Sequence, residues 1–355
     1  MDALTDALSG ALLARATEPS RHGVGLPRRT RMTVAFWAAA FPDGDFILRF
    51  IDPLTYLTAH RGITHSVLML PLWAVGLALL FQFLYRRRYP WRAFLGTCAL
   101  GIGIHIAGDV ITSYGTMVLA PLSGWRAQLA VTFIIDPYFT AIIVAGLLGS
   151  LRWHRTPMPA VVGLAALVVY VGAQTVLHYR AKEIGDAFIA ANGMAHAQAH
   201  ALPQPFSPFH WLVVVEQPRW YYMSYISFTR RTVRTPPSDA GLLRRVYDSY
   251  RPVESAPWHV VPRYGEAPKD IAVAKALWES GAFTGYRRFA MFPAVYRVDR
   301  FAEKTCVRFT DLRLALSARI TPFRFAACRD NAVGIWKMYY LSEIGDGTEL
   351  PHAIE

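Results

Sequence analysis

Two stretches of the chain place metal-binding side chains beside apolar segments. The first reads Phe41-Pro42-Asp43-Gly44-Asp45, then His60-Arg61-Gly62-Ile63-Thr64-His65-Ser66, leading into the apolar run 67–84. The second is His105 and Asp109, a helical turn apart inside the apolar run 93–118. Ionisable groups at bilayer depth cost roughly 2.5–3.5 kcal/mol each on insertion scales, so they persist where they serve function. On a helix, His105 and Asp109 share a face and can reach one ion; the alternative is a hydrogen bond gluing helices together. His60 and His65 do not share a helix face. They cooperate only if His60 lies in a loop and His65 opens a helix, with Arg61-Gly62 as irregular backbone and Thr64 as cap. Gly44 permits a tight turn aiming Asp43 and Asp45 into one space, where two carboxylates repel unless a cation neutralises them. Asp136, which precedes Pro137 in a further apolar run, is either a metal ligand or a helix breaker. Arg61 suits a phosphate or its transition state; otherwise it snorkels to headgroups.

Nitrogen and oxygen donors of these types suit Zn(II) or Mn(II), and they outnumber the needs of one tetrahedral ion. The expectation is therefore a pair of divalent ions that polarise a phosphoryl or acyl oxygen and activate water.

The elements that must position these groups are largely apolar helices. Residues 1–16 read as a helix with Leu4, Leu8, Ala11 and Leu12 on one face. A Gly/Pro/Arg loop, 18–31, follows. Residues 32–41 form a helix of roughly 15 Å, too short to cross a hydrocarbon core of about 30 Å. It would deliver Asp43 and Asp45 near mid-depth. Stronger segments at 67–84, 93–118, 129–151 and 158–177 suggest about four spanning helices. Arginines cluster at 21–31, 86–92 and 152–155. If all three loops are cytoplasmic, the spans alternate correctly and the His/Asp groups fall in the outer leaflet. A connecting helix is expected over 181–202. From 203 to 355, aromatic and β-branched runs bounded by Pro, Gly and Asp read as antiparallel strands. The fold class is an α-helical membrane domain, 1–180, followed by a smaller β-rich soluble domain outside the membrane.

Composition sets the same bounds. The 355 residues are 53% hydrophobic and 17% charged, with a mean hydropathy of +0.23. That is too apolar for a wholly soluble enzyme and dilute for a pure transporter. Residues 1–180 carry 15 Arg, no Lys and 8 Asp and Glu. Membrane topology accounts for such arginines, and no nucleic-acid partner is expected. Three cysteines without a Cys-x-x-Cys argue against a thiolate zinc site. No cleavable leader is expected at residues 1–16, which lack a basic start. Cys306 and Cys328 lie in adjacent strand-like runs and would stand nearly opposite across a turn near Ser317. An oxidising exterior would join them; a reducing cytoplasm would leave two thiols.

Asp43-x-Asp45, His60-Arg61-Gly62-x-Thr64-His65-Ser66 and His105-x-x-x-Asp109 leading to Tyr114-Gly115-Thr116 make a specific set. With the apolar Asp136-Pro137, they resemble the YdjM-type family of inner-membrane, metal-dependent hydrolases over about residues 1–180. The segment from Pro205 to Trp211 looks like the C-terminal extension of longer members. The resemblance implies metal ligation by Asp43, His60, His65, His105, Asp109 and Asp136, with Arg61 and Asp45 catalytic. It adds Asp6, which stands where the family's opening Leu-Thr-His has histidine. The His/Asp set is also distantly similar to zinc-dependent phospholipases C and single-strand-specific nucleases. A membrane-bound phosphoester hydrolase using metal-activated water, acting on a small-molecule or lipid substrate, is the leading expectation. Its rivals are a transporter with an ion path through the buried carboxylates, and an envelope protein whose metal is structural.

Overall fold

The Asp2 carboxylate accepts the Thr5 amide at 3.1 Å and so starts the first helix, α1 (Ala3–Ala16). Nearly every turn of α1 is buried, including Thr5, Asp6, Ser9 and Arg15, so its environment is helical neighbours on several sides. The expected apolar face is only partly used: Leu12 is fully buried while Leu4 faces outward. Next to it runs α2 (Arg28–Ala40), thin along one side because Val34, Ala35, Ala38 and Ala39 are all buried there. That thinness lets α6 (Trp91–Val110) approach closely. A side chain on its Gly101 would put Cβ 2.8 Å from the Ala35 carbonyl and from Ala38 Cβ.

In the computed structural model, residues 1–19, 25–51, 53–316, 324–330, 334, 336–341 and 352–353 are described. They group into two units, Met1–Ile47 with Ala59–His178, and Leu48–Thr58 with Tyr179–Glu355. A 3-10 turn (Pro42–Ile47) leads from α2 to α3 (Leu48–Ile51) and α4 (Pro53–Ala59), and a second such turn spans Ile63–His65. The helices α5 (Leu70–Leu84), α6 (Trp91–Val110), α7 (Pro137–Arg152) and α8 (Met158–Ala191) follow. Of these, α6 and α8 are long and apolar enough to cross a membrane; α5 and α7 are shorter apolar helices.

Two boundaries differ from the hydropathy reading. The run 93–118 stops being helical at Val110, and the run 129–151 becomes helical only at Pro137. Between them the chain makes isolated bridges, Thr112 with Thr132 and Thr116 with Ala127. Apolar residues such as Leu119, Leu122, Leu129 and Ile135 continue through this loop, so composition does not mark the switch in backbone bonding.

The first unit is polarised along its helices. Arg15 donates to the carbonyls of His154 (3.1 Å) and Thr156, and Arg31 to that of Ala14 (3.1 Å), at the end where α2 begins and α7 stops. The α5–α6 connection carries Arg86, Arg87, Arg88 and Arg92. Asp6, Asp43, His65, His105 and Asp109 lie at the opposite ends of α1, α2, α5 and α6. Apolar packing between these ends is supplied by Phe81, Phe94, Cys98 and Ile102.

In the second unit, β1 (Gln198–Pro203), β2 (His210–Glu216), β3 (Trp220–Ser227), β4 (Arg251–Pro252) and β5 (His259–Pro262) form one sheet. A second sheet runs β10-β9-β8-β7-β6, from β6 (Pro293–Arg300), β7 (Lys304–Asp311), β8 (Arg324–Asp330), β9 (Trp336–Leu341) and β10 (His352–Ala353). Pairing is antiparallel except between β3 and β4. Trp211 to Val215 have no exposure, as an apolar run in a central strand requires. The connecting helix expected over 181–202 is instead the end of α8 to Ala191 followed by strand β1. Three helices not read from sequence, α9 (Leu242–Ser249), α10 (Pro268–Glu279) and α11 (Thr284–Phe289), join the strands. Cys306 and Cys328 stand in register across β7 and β8 and are joined, with S–S 2.06 Å. The turn expected near Ser317 lies outside the described residues.

Candidate metal centre

His105 sits one turn before the end of α6. Its Nδ1–H donates to the Ala39 carbonyl at the end of α2, 2.6 Å away, which leaves Nε2 as the lone-pair nitrogen. His65 closes the second 3-10 turn in a similar way. Its Nδ1–H faces Thr64 Oγ1 at 2.9 Å, while that hydroxyl donates to Asp45 Oδ2 at 3.1 Å. Both imidazoles therefore turn Nε2 inward.

Four atoms converge. His65 Nε2 lies 3.3 Å from Asp109 Oδ2 and 3.6 Å from Asp43 Oδ1. His105 Nε2 lies 3.5 Å from Asp109 Oδ2 and 3.7 Å from Asp43 Oδ1. An ion bound at about 2.0–2.2 Å brings neighbouring ligands to roughly 3–3.6 Å of one another. The two histidine Nε2 atoms and Asp109 Oδ2 are buried and have no hydrogen-bond partner. Buried polar atoms are nearly always satisfied, so orphaned donors at ligand spacing fit a cation. These residues could hold a metal ion, and Asp6, His105 and Asp109 form a second such group.

Asp6 reaches this second group because Gly108 has no side chain: a Cβ there would come 2.8 Å from Asp6 Oδ1. The α-amino group of Met1 lies 3.0 Å from Asp6 Oδ2 and also pairs with Asp109 Oδ1. Asp6 Oδ2 faces His105 at Nδ1, 3.7 Å away, the nitrogen already donating to Ala39.

The remaining expected residues take neighbouring positions. Asp45 organises the loop: its Oδ1 pairs with His60 Nδ1 at 2.7 Å, and its Oδ2 accepts the Arg61 amide at 3.2 Å. Among the described residues His60 belongs to neither converging group; its ring lies 5.7 Å from that of His65. Arg61 pairs through Nη2 with Asp109 Oδ1 at 2.9 Å and through Nη1 with Thr112 Oγ1 at 3.0 Å. Its backbone takes a left-handed φ of 58°, held by the Asp45 carboxylate on its amide and the Met117 amide on its carbonyl. Asp136 is a correction. It caps α7, with Oδ1 accepting the Tyr138 and Phe139 amides at 2.9 and 3.0 Å and Oδ2 accepting the Tyr170 hydroxyl at 2.6 Å. Those bonds answer its burial.

Thr112, Tyr114 and the Ala39 carbonyl were not read as part of the site. Tyr114 lies under the Arg61 guanidinium, 4.7 Å from its ring centre. A backbone carbonyl carries no side-chain signal, and Thr112 lies inside the run 93–118 that hydropathy reads as one apolar segment.

A helical unit with spanning-length apolar helices and a buried His/Asp cluster at one end defines a membrane protein with a candidate metal centre. The chain belongs to the YdjM inner membrane protein family, whose model matches residues 1–181. It is 28% identical over 135 residues to the uncharacterized protein YfhP of Bacillus subtilis (strain 168), a match spanning 37% of this chain and 39% of that protein. No solved structure matches the chain.

Proposed function

We propose that the chain is a membrane-bound, metal-dependent hydrolase of a phosphoester. The reading is carried by one observation, the convergence of Asp43, His65, His105 and Asp109 donor atoms at neighbour distances of 3.3–3.7 Å, three of them buried without partners. A divalent ion held there, zinc or manganese for such a donor set, supplies Lewis-acid polarisation of a phosphoryl oxygen and activation of water. Ala39 and Thr64 engage Nδ1 of the two imidazoles and keep both Nε2 atoms turned into the set. With Nδ1 bound to Asp45, His60 presents Nε2 as its basic nitrogen, placed to accept or return a proton. Arg61 offsets the Asp109 charge and adds a fixed cation that favours a phosphate. Asp6, beside Asp109, is where a second ion would be held, without His105, whose Nδ1 is bonded to the Ala39 carbonyl.

The protein is read as a multi-pass inner-membrane protein with its arginine end in the cytoplasm and the metal centre and β-rich region outside. The arginine loops and the Cys306–Cys328 bond support this sidedness.

One observation favours a second reading, a structural ion. His65, His105 and Asp109 are fully buried, and structural zinc sites are closed by four protein ligands. Asp43, with 18% of its side chain exposed, is the ligand on the open side. Metal analysis and turnover of a chromogenic phosphodiester by detergent-purified protein separate the two. The hydrolase reading expects bound zinc or manganese, turnover that chelation abolishes, and recovery on adding metal back. Bound metal without turnover leaves the structural reading; wild-type protein that purifies and reconstitutes without metal sinks both.

A further inference from the structure

A cleft of about 560 Å³ opens between α2 and α5. Trp37, Ala40 and Phe41 line one wall, and Leu77, Leu80 and Leu84 the other. On each helix these positions recur every three or four residues, so each wall is one apolar stripe. None of the lining residues is charged. The two helices run in opposite directions along it, and the cleft follows about 12 Å of each at 1.5 Å per residue. At the end of α2 it reaches Gly44. That residue stands between Asp43, a member of the converging set, and Asp45, which holds His60 and the Arg61 amide.

We propose that this cleft holds the acyl chain of the substrate, so that the phosphoester presented to the metal centre is that of a membrane phospholipid. The proposal rests on the hydrolase reading above. A phospholipid has one apolar end and one anionic end. The cleft matches that asymmetry: its lining is apolar apart from Thr33 and Tyr85, and at Gly44 it comes beside the Asp43–Asp45 turn that leads into the site. Its volume falls within the roughly 300–1,000 Å³ of small-molecule sites. The family's membrane location supplies such chains at high local concentration.

The test uses full-length protein in nanodiscs doped with a phosphatidic acid carrying a diazirine in one acyl chain. A diacylglycerol with the same chain serves as control. Label is expected on peptides covering 33–41 and 77–85, stronger for the phosphorylated probe, and lost in Ala40→Trp and in Leu80→Trp, which fill the cleft from opposite walls. Kinetics provide the second arm. Across phosphoesters of increasing chain length, kcat/KM should rise about fourfold per methylene buried until the cleft is full. The ratio of long-chain to short-chain kcat/KM should fall at least about tenfold in either variant. Equal labelling by both probes, or label spread evenly over the exposed apolar side chains of α8, indicates annular lipid and overturns the proposal. Turnover without chain-length preference or cleft labelling also overturns it, and leaves the hydrolase reading standing. Head-group-dependent label in the cleft without any turnover does the reverse.

Discussion

His105 and Asp136 are both buried in apolar surroundings, yet their lone pairs end in different places. Asp136 spends both oxygens on the start of α7 and on Tyr170, while His105 keeps Nε2 without a hydrogen-bond partner. Their substitutions should therefore part company. Asp136→Ala removes a helix cap, expected to cost about 1–2 kcal/mol; it should lower the Tm of the detergent-solubilised protein and leave metal content unchanged. His105→Ala should lose bound metal. Melting curves and metal analysis on the same preparations check both, and loss of metal from a folded Asp136→Ala protein would make Asp136 a ligand after all. Asp45 behaves as a positioning residue, since it holds Thr64, which in turn holds His65. Removing such a support typically weakens metal binding by about 10–100-fold. Asp45→Asn should show that loss in chelator competition but reach wild-type stoichiometry at saturating metal; a lower stoichiometry there contradicts a supporting role. Residue types at the site were legible in sequence because a histidine or aspartate in an apolar run stands out. Their partners were not, because Ala39 contributes only a carbonyl and Arg61 meets Asp109 through a fold that no spacing reveals.

At the scale of elements, α6 carries two glycines with opposite surroundings. A Cβ at Gly101 meets the Ala35 carbonyl and Ala38 Cβ at 2.8 Å, while one at Gly96 meets nothing within 4 Å. Backbone and a buried methyl cannot yield as a flexible side chain would, so Gly101→Ala must push α6 from α2. Overpacking of this kind costs about 1–3 kcal/mol. It also shifts His105, one turn further on, relative to the Ala39 carbonyl that sets its tautomer. Gly101→Ala is expected to lower both Tm and metal affinity. Gly96→Ala should be neutral or stabilise by up to about 1 kcal/mol, because alanine restricts the unfolded backbone and fills open space. Equal effects from the two substitutions would remove the close α2–α6 approach as the device that sets the site. Helices α5, α6 and α8 were visible as apolar runs, and strands β2, β3 and β6 to β9 as aromatic and β-branched ones. What the runs hid was their limits. The sequence did carry the start of α7 in Asp136-Pro137, an N-cap followed by proline at the first helical position, but the acid competed for a ligand role. Strand β1 was read as helix because Gln198 to Pro203 lacks β-branched residues, and its pairing to β2 comes from tertiary context.

For the whole molecule the open question is sidedness, and two features with no residue in common bear on it. Arginine end and metal end occupy opposite ends of the helical unit, and lysine and arginine near short loops orient membrane proteins with that end inside. Independently, Cys306 and Cys328 are bonded, which an oxidising compartment sustains and the cytoplasm does not. With a sequence separation of 22, the bond closes a loop expected to stabilise the β-rich unit by about 3 kcal/mol. Protein made in cells, denatured without reductant and treated with an alkylating thiol reagent, should gain label only at Cys98; modification of all three cysteines rules the bond out. Sidedness itself is read by alkaline phosphatase fusions, which fold only outside the cytoplasm. A fusion after Glu355 should be active and one in the Arg86–Arg88 loop inactive. The reverse pattern would put the metal centre in the cytoplasm. The reagent test then discriminates further: an inactive C-terminal fusion together with free Cys306 and Cys328 moves the β-rich region inside as well. Active fusion with free thiols instead keeps the topology and removes only the bond.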